Sequence, residues 1–156
     1  MTGPDRTTHV GFTGTRKGMT QAQMMAFLGW LGQREPGALH HGDCLGADAQ
    51  AHEIARDLGW RIVLHPPSDQ SLRAFSAVAD EVRQPRPYLE RNACIVDEAE
   101  VLLAAPAEAA ERQRSGTWAT VRYMRLKGKQ VVIIEPDGAT VSDRTRQPST
   151  LGRGGQ

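Results

Sequence analysis

Three short segments of the chain combine glycine with polar and charged residues: Gly14-Thr15-Arg16-Lys17-Gly18, Gly42-Asp43-Cys44-Leu45-Gly46-Ala47-Asp48 and Ser115-Gly116-Thr117. The pair Arg91-Asn92 stands apart from them. Glycine lets an anionic group approach the backbone closely. Where such a turn opens a helix, unpaired N–H groups and the positive dipole end face that group. Gly14, Thr15, Arg16, Gly42, Asp43, Gly46, Asp48, Arg91, Asn92, Ser115, Gly116 and Thr117 are therefore candidate positions for holding a phosphate-bearing ligand. Arg16 and Arg91 carry the guanidinium fork that suits phosphate or ribose, and each is otherwise a solvated or salt-bridged cation. Asp43 and Asp48 bracket the second turn. A carboxylate there accepts ribose hydroxyls or locks the turn by bonding free N–H groups, and for Asp48 the locking role is preferred. No segment reads G-x-x-x-x-G-K-[ST] or G-x-G-x-x-G, which disfavours an ATPase or a nicotinamide dehydrogenase.

Other reactive side chains carry weaker signals. Cys44 at a helix start is either an activated thiol or a small residue filling a turn; the second is preferred because no partner base is identifiable. His40, His41, His52 and His65 have spacings that match no ordinary zinc pattern, so no metal and no cofactor is expected. Trp118 either stacks on a base or packs under a sheet. Arg73 and Phe75 lie in a long irregular stretch, Ser68 to Pro87, of the kind that forms lids.

These residues must be positioned by the elements around them. Apolar runs alternate with helical patterns from residue 9 to residue 136, the mark of an α/β domain with a mostly parallel sheet. Strands are expected at His9–Thr13, Ala38–His41, Arg61–His65, Glu100–Ala105 and Gln130–Ile134. Between them, Met24, Phe27, Leu28 and Leu31 form an apolar stripe behind the cap Thr20, and Ala47, Ala51, Ile54, Ala55 and Leu58 form a second. Leu72, Phe75, Val78 and Val82 hint at a short helix. A helix is expected from Tyr88 to Glu98, and another from the cap Thr117 to Lys127. The expectation is one three-layer Rossmann-like domain, with five core strands ordered 3-2-1-4-5 and helices on both faces. Residues 1–8 form an extension, 9–136 the domain and 137–156 a flexible tail.

Composition limits the partners. The 156 residues are 39% hydrophobic and 24% charged, enough for one core without metal or disulfide staples. With 19 basic against 18 acidic residues, net +1, the chain lacks the cationic footprint of a nucleic-acid binder, although Arg144, Arg146 and Arg153 offer weak contacts. No apolar run approaches the roughly 20 residues of a membrane span, and the N-terminus lacks a signal-peptide centre, so a cytoplasmic protein is expected. Its two cysteines, Cys44 and Cys94, read as reduced thiols.

The order of Gly14-Thr15-Arg16, then Gly42 to Asp48, then Tyr88-Leu89-Glu90-Arg91-Asn92, then Arg114-Ser115-Gly116-Thr117-Trp118 resembles the SLOG superfamily over about residues 9 to 135. That superfamily joins the DNA-processing protein A family and the LOG phosphoribohydrolases. Within it, the chain is most similar to a branch of small bacterial and phage proteins. The resemblance implies a nucleotide site at the C-terminal edge of the sheet and a homodimer. In LOG enzymes an Arg-Lys pair and a Pro-Gly-Gly-x-Gly-Thr-x-x-Glu loop hold a nucleoside monophosphate and cleave its N-glycosidic bond. Here Arg91 falls on the arginine, Asn92 replaces the lysine, Gly116 and Thr117 fall on the Gly-Thr, and Thr120 stands at the glutamate. Losing an acid/base carboxylate costs a factor of about 10²–10⁴ in rate, so binding of a nucleotide or ribosyl phosphate is favoured over hydrolysis. If bonds are cleaved, Arg91 and Asp43 are the catalytic candidates, with Asp48 and Glu90 as further carboxylates. Single-stranded DNA binding in the manner of DNA-processing protein A is a third reading, disfavoured by the charge.

Overall fold

The computed structural model describes residues 6–143 and the two-residue strand Arg146–Gln147. The elements are β1 (His9–Gly14), α1 (Gln21–Gly32), β2 (Ala38–His41), α2 (Ala47–Asp57), β3 (Arg61–Leu64), β4 (Glu81–Val82), α3 (Tyr88–Glu98), β5 (Val101–Ala105), α4 (Gly116–Leu126), β6 (Gln130–Ile134), β7 (Thr140–Ser142) and β8 (Arg146–Gln147). All of β5, and all of β6 after Gln130, is buried, as expected of strands covered on both faces. The period-two alternation of the strands then sorts side chains into two cores. Val10, Phe12, Leu39, Ile62, Leu64, Leu103 and Ile134 pack on Phe27 and Leu31 of α1 and on Ala47, Ala51 and Ala55 of α2. Leu102, Ala104, Val131 and Ile133 pack on Ile95 and Val96 of α3 and on Trp118, Val121 and Met124 of α4. The result is an α/β domain of three layers.

Among the described residues the sheet has eight strands rather than five, in the order β4-β3-β2-β1-β5-β6-β7-β8. The five strands expected from the sequence are β1, β2, β3, β5 and β6; short strands extend the sheet beyond both ends of that set, so the expected order is not the order of the whole sheet. β4 pairs parallel to β3, and β7 and β8 add antiparallel beyond β6. Residues past 136, expected in a tail, thus re-enter the sheet. The signal was Pro136-Asp137-Gly138, turn residues with Gly138 at φ +90°, closed by Glu135 N–H donating to the Ala139 carbonyl at 2.8 Å. Arg144, residue 145 and residues 148–156, Arg153 among them, lie outside the described residues.

Two helical expectations change. Ser68 to Pro87 holds a 3-10 turn, Gln70–Leu72, and β4 instead of a short helix. Phe75 and Val78 have φ of +55° and +61°, a left-handed backbone that no α-helix contains, and both side chains are exposed. In α1, Leu28 is largely exposed and Gln23 takes an inner position. Gln23 completes a capping box with Thr20 and donates to the Pro106 and Ile134 carbonyls, both at 2.9 Å. Among the described residues, no helix is long and apolar enough to cross a membrane.

Candidate functional site

In an open α/β sheet, ligands lie beyond the C-terminal strand ends where the strand order reverses direction. Here β1 runs beside β5, with Gly14 paired to Ala105, while β2 continues the other way. A cavity of about 490 Å³ opens at this point. Of the candidate positions, Gly14, Thr15, Arg16, Gly42, Asp48, Arg91, Asn92, Ser115, Gly116 and Thr117 line it; Asp43 and Gly46 do not. Lys17, Tyr88, Glu108, Arg112 and Arg114 line it as well. Sequence reasoning passed over these residues, although Lys17 adjoins Arg16 and both arginines lie in the Arg-rich connection before Ser115.

The first and second turns are locked together. Thr15 N–H donates to the Ala105 carbonyl at 3.1 Å, and the Thr15 carbonyl accepts from Ala47 N–H at 2.9 Å. Gly46, at φ +89°, N-caps α2, and a Cβ there would collide with the backbone of Arg16. Glycine is required at this position by the packing of one turn on the other, without reference to a ligand.

Asp48 locks the second turn from inside. Its Oδ2 accepts from Gly42 N–H at 3.1 Å and Cys44 N–H at 3.2 Å, so two of the donors suited to a phosphate are already taken. Burial pushes its carboxyl up to about 6, against the pull of Arg91 and these two N–H groups. Arg91 is buried too, and most of its donors are committed. Nη1 donates to the Gly42 carbonyl at 2.6 Å and the His65 carbonyl at 3.2 Å, Nε donates to Asn92 Oδ1 at 2.7 Å, and Nη2 lies 3.6 Å from Cys44 Sγ. Burial, and then Asp48, push the Cys44 thiol up, opposite to the direction an activated nucleophile needs.

Asp43 faces away from the cavity. It is fully buried at φ +53°, pairs with Arg73 Nε at 2.8 Å, and accepts from Ser76 N–H at 2.9 Å. Arg73 therefore fastens the long connection to the second turn, and neither it nor Phe75 lines the cavity as a lid would. A second fastening runs through histidines. Asp43 N–H donates to His41 Nδ1 at 3.0 Å, which puts the proton of His41 on Nε2; that nitrogen meets His52 Nδ1 at 2.9 Å, and His52 Nε2 reaches the Ala77 carbonyl at 2.7 Å. A backbone donor at one end and a carbonyl at the other set both tautomers.

The third turn contributes the start of α4. The N-cap is Ser115 rather than Thr117, its hydroxyl accepting from Trp118 N–H at 3.2 Å. Ala119 N–H bonds the Ser115 carbonyl, which leaves the first-turn N–H groups of Gly116 and Thr117 outside the helix's own bonds, at the cavity wall. Tyr88 closes over this point: its hydroxyl stands where a Cβ on Gly116 would be, and its ring centroid is 5.4 Å from the Arg16 guanidinium and 5.2 Å from that of Arg91. Thr120 is buried, donates to the Gly116 carbonyl at 2.9 Å, and does not line the cavity. Trp118 is buried in the second core, which answers the stacking alternative in favour of packing.

No family model and no curated protein sequence matches the chain. Solved structures do match. A molybdenum cofactor binding protein from Rippkaea orientalis aligns over 84% of this chain and 78% of its own, at 18% identity and TM-score 0.66. TM1055 aligns over 84% and 76%, at 15% identity and TM-score 0.62. DNA processing protein A from Streptococcus pneumoniae aligns over 81% of this chain at 18% identity and TM-score 0.58, with the match spanning half of that protein. The chain has the Rossmann-like fold of these proteins, the fold that the SLOG resemblance implies.

Proposed function

We propose that this protein binds a nucleotide or ribosyl-phosphate ligand in the cavity at the ends of β1, β2 and β5. The observation that carries the reading is the meeting of all three turns around one space of about 490 Å³, rimmed by Arg16, Lys17, Arg112 and Arg114. Its size is that of a small-molecule site. The phosphate would rest on the free N–H groups of Gly116 and Thr117 at the start of α4, with Arg16 and Arg114 as countercharges. The Gly42 to Gly46 turn, whose Gly42 and Cys44 N–H groups serve Asp48, forms the wall instead. Near-neutral charge over the whole chain supports a small anion over a polymer.

Calorimetry and thermal shift with nucleoside mono-, di- and triphosphates and nucleotide sugars test this reading. At least one compound is expected to bind with a single site and to raise the melting temperature. Loss of that binding in Arg16→Ala would support the arrangement; a flat response across the whole panel would overturn it.

A hydrolytic reading rests on Asp48, a buried carboxyl of the cavity wall raised to about 6, within the range useful to a general acid or base. It predicts release of free base from a nucleoside monophosphate, abolished in Asp48→Asn. Chromatography showing no base released would leave binding as the activity.

A further inference from the structure

A second cluster of reactive side chains lies outside the nucleotide cavity. His40 on β2, His65 just past β3 and Glu98 at the last turn of α3 bring one ligand atom each to within 4.8 Å of one another. His40 Nδ1 is 2.9 Å from His65 Nε2 and 3.7 Å from Glu98 Oε1. Tetrahedral zinc, with ligands at about 2.0–2.1 Å, sets its donor atoms roughly 3.3 Å apart, and the two measured separations bracket that value.

Both imidazoles are buried. Glu98 is gripped by Arg83 through Nη2 at 2.7 Å and Nε at 3.2 Å. Arg83 also donates through Nη1 to Glu81 Oε1 at 2.6 Å, and Glu81 in turn pairs with Arg61 at 3.4 Å. The outer nitrogen of His40, Nε2, meets His9 Nδ1 at 2.8 Å, the kind of orienting bond that metal-bound imidazoles make.

The chain of imidazoles from His9 through His40 ends on His65, whose Nδ1 is buried without a partner. A second cavity of about 210 Å³, lined by His65 and Glu98 together with Cys94 and the arginines Arg83, Arg86 and Arg91, adjoins the cluster and leaves room for a non-protein ligand.

We propose that His40, His65 and Glu98 are the protein ligands of one divalent late-transition-metal ion of the zinc class. Two nitrogens and one carboxylate oxygen suit such an ion better than magnesium or calcium. Linear spacing could not reveal this site, because its ligands come from two adjacent strands and a helix end.

The test is titration of tag-free, chelator-stripped protein with Zn²⁺ by calorimetry and with Co²⁺ by visible absorption. One equivalent is expected to bind, Co²⁺ giving the intense absorption of a tetrahedral site, with affinity at least tenfold weaker in Glu98→Gln. Arg114→Ala, at the other cavity, is expected to bind metal as the parent does. Glu98 is partly exposed, and circular dichroism of Glu98→Gln establishes that it is folded, so the test does not depend on substituting a buried histidine. Absence of saturable uptake, or uptake by folded Glu98→Gln as tight as the parent's, overturns the proposal.

Discussion

Arg91 Nη1 sits on the backbone of Gly42, donating to its carbonyl at 2.6 Å, and a Cβ on Gly42 would lie 2.7 Å from the guanidinium carbon. One contact thus explains two features of the sequence: why residue 42 has no side chain, and why α3 carries an arginine on its buried face. The glycine admits the arginine, which in turn holds the second turn against α3.

Gly42→Ala is therefore expected to destabilise the fold strongly. Arg91→Ala leaves the Gly42 and His65 carbonyls and Asn92 Oδ1 without this donor, which costs on the order of 3 kcal/mol. The double variant should cost clearly less than the sum, because the alanine methyl then has room. Urea denaturation of the four proteins measures this; additive losses would contradict the geometry.

Breaking the Asp43–Arg73 pair should free the long connection. Asp43→Ala leaves a half-buried guanidinium and the Ser76 N–H unpaired, a loss of about 3–5 kcal/mol by analogy with other buried pairs. Limited proteolysis should cut between Ser68 and Pro87 well before the rest of the chain. If the first cuts fall elsewhere, the connection is held by other contacts.

Stability should fall on mild acidification. His40 and His65 have folded pKa values of about 4 against 6.5 ordinarily, so between pH 6.5 and 4 the unfolded chain binds more protons at these two sites. Their penalty is absent above that window and grows as pH falls through it. Asp48, raised to about 6 from 3.8, acts in the opposite sense and gains stability over nearly the same range. The histidines outnumber it, so a net slope of roughly 1.4 kcal/mol per pH unit per excess proton is expected. Urea midpoints from pH 7 to 4.5 read the slope directly, and a rise on acidification would show that Asp48 dominates.

Tyr88 separates two ways of holding a ligand. If its hydroxyl meets a phosphate at the start of α4, Tyr88→Phe should weaken nucleotide binding about tenfold, the scale of one hydrogen bond to a charged group. If only the ring's contacts with Arg16 and Arg91 matter, Tyr88→Phe should bind as the parent does and Tyr88→Ala should not. Calorimetry with the best ligand of the panel distinguishes them.

Much of the frame was legible in the linear chain. The alternation of apolar runs and helical stripes located β1, β2, β3, β5, β6 and the four helices, because burial on both faces of a parallel sheet imposes a local pattern on each strand. The strands added at the edges were missed for the same reason. Glu81–Val82 is exposed and two residues long, and β7 follows a turn signal in a stretch without periodicity. The three glycine turns were visible too, since strand-to-helix turns are short and punctuated.

What no local pattern could assign was the use of each side chain. Asp43 and Asp48 are five residues apart on one turn, yet Asp48 bonds its own backbone within the cavity wall while Asp43 points away to Arg73. Arg91 reads as a ligand-binding cation, yet most of its donors serve carbonyls and an amide of its own fold. The sequence by itself determined which segments become strands, helices and turns, because those choices depend on neighbours a few residues away. Only the tertiary structure decided which polar groups face the cavity and which are consumed holding it open, because that depends on partners tens of residues distant whose buried hydrogen bonds must all be satisfied at once.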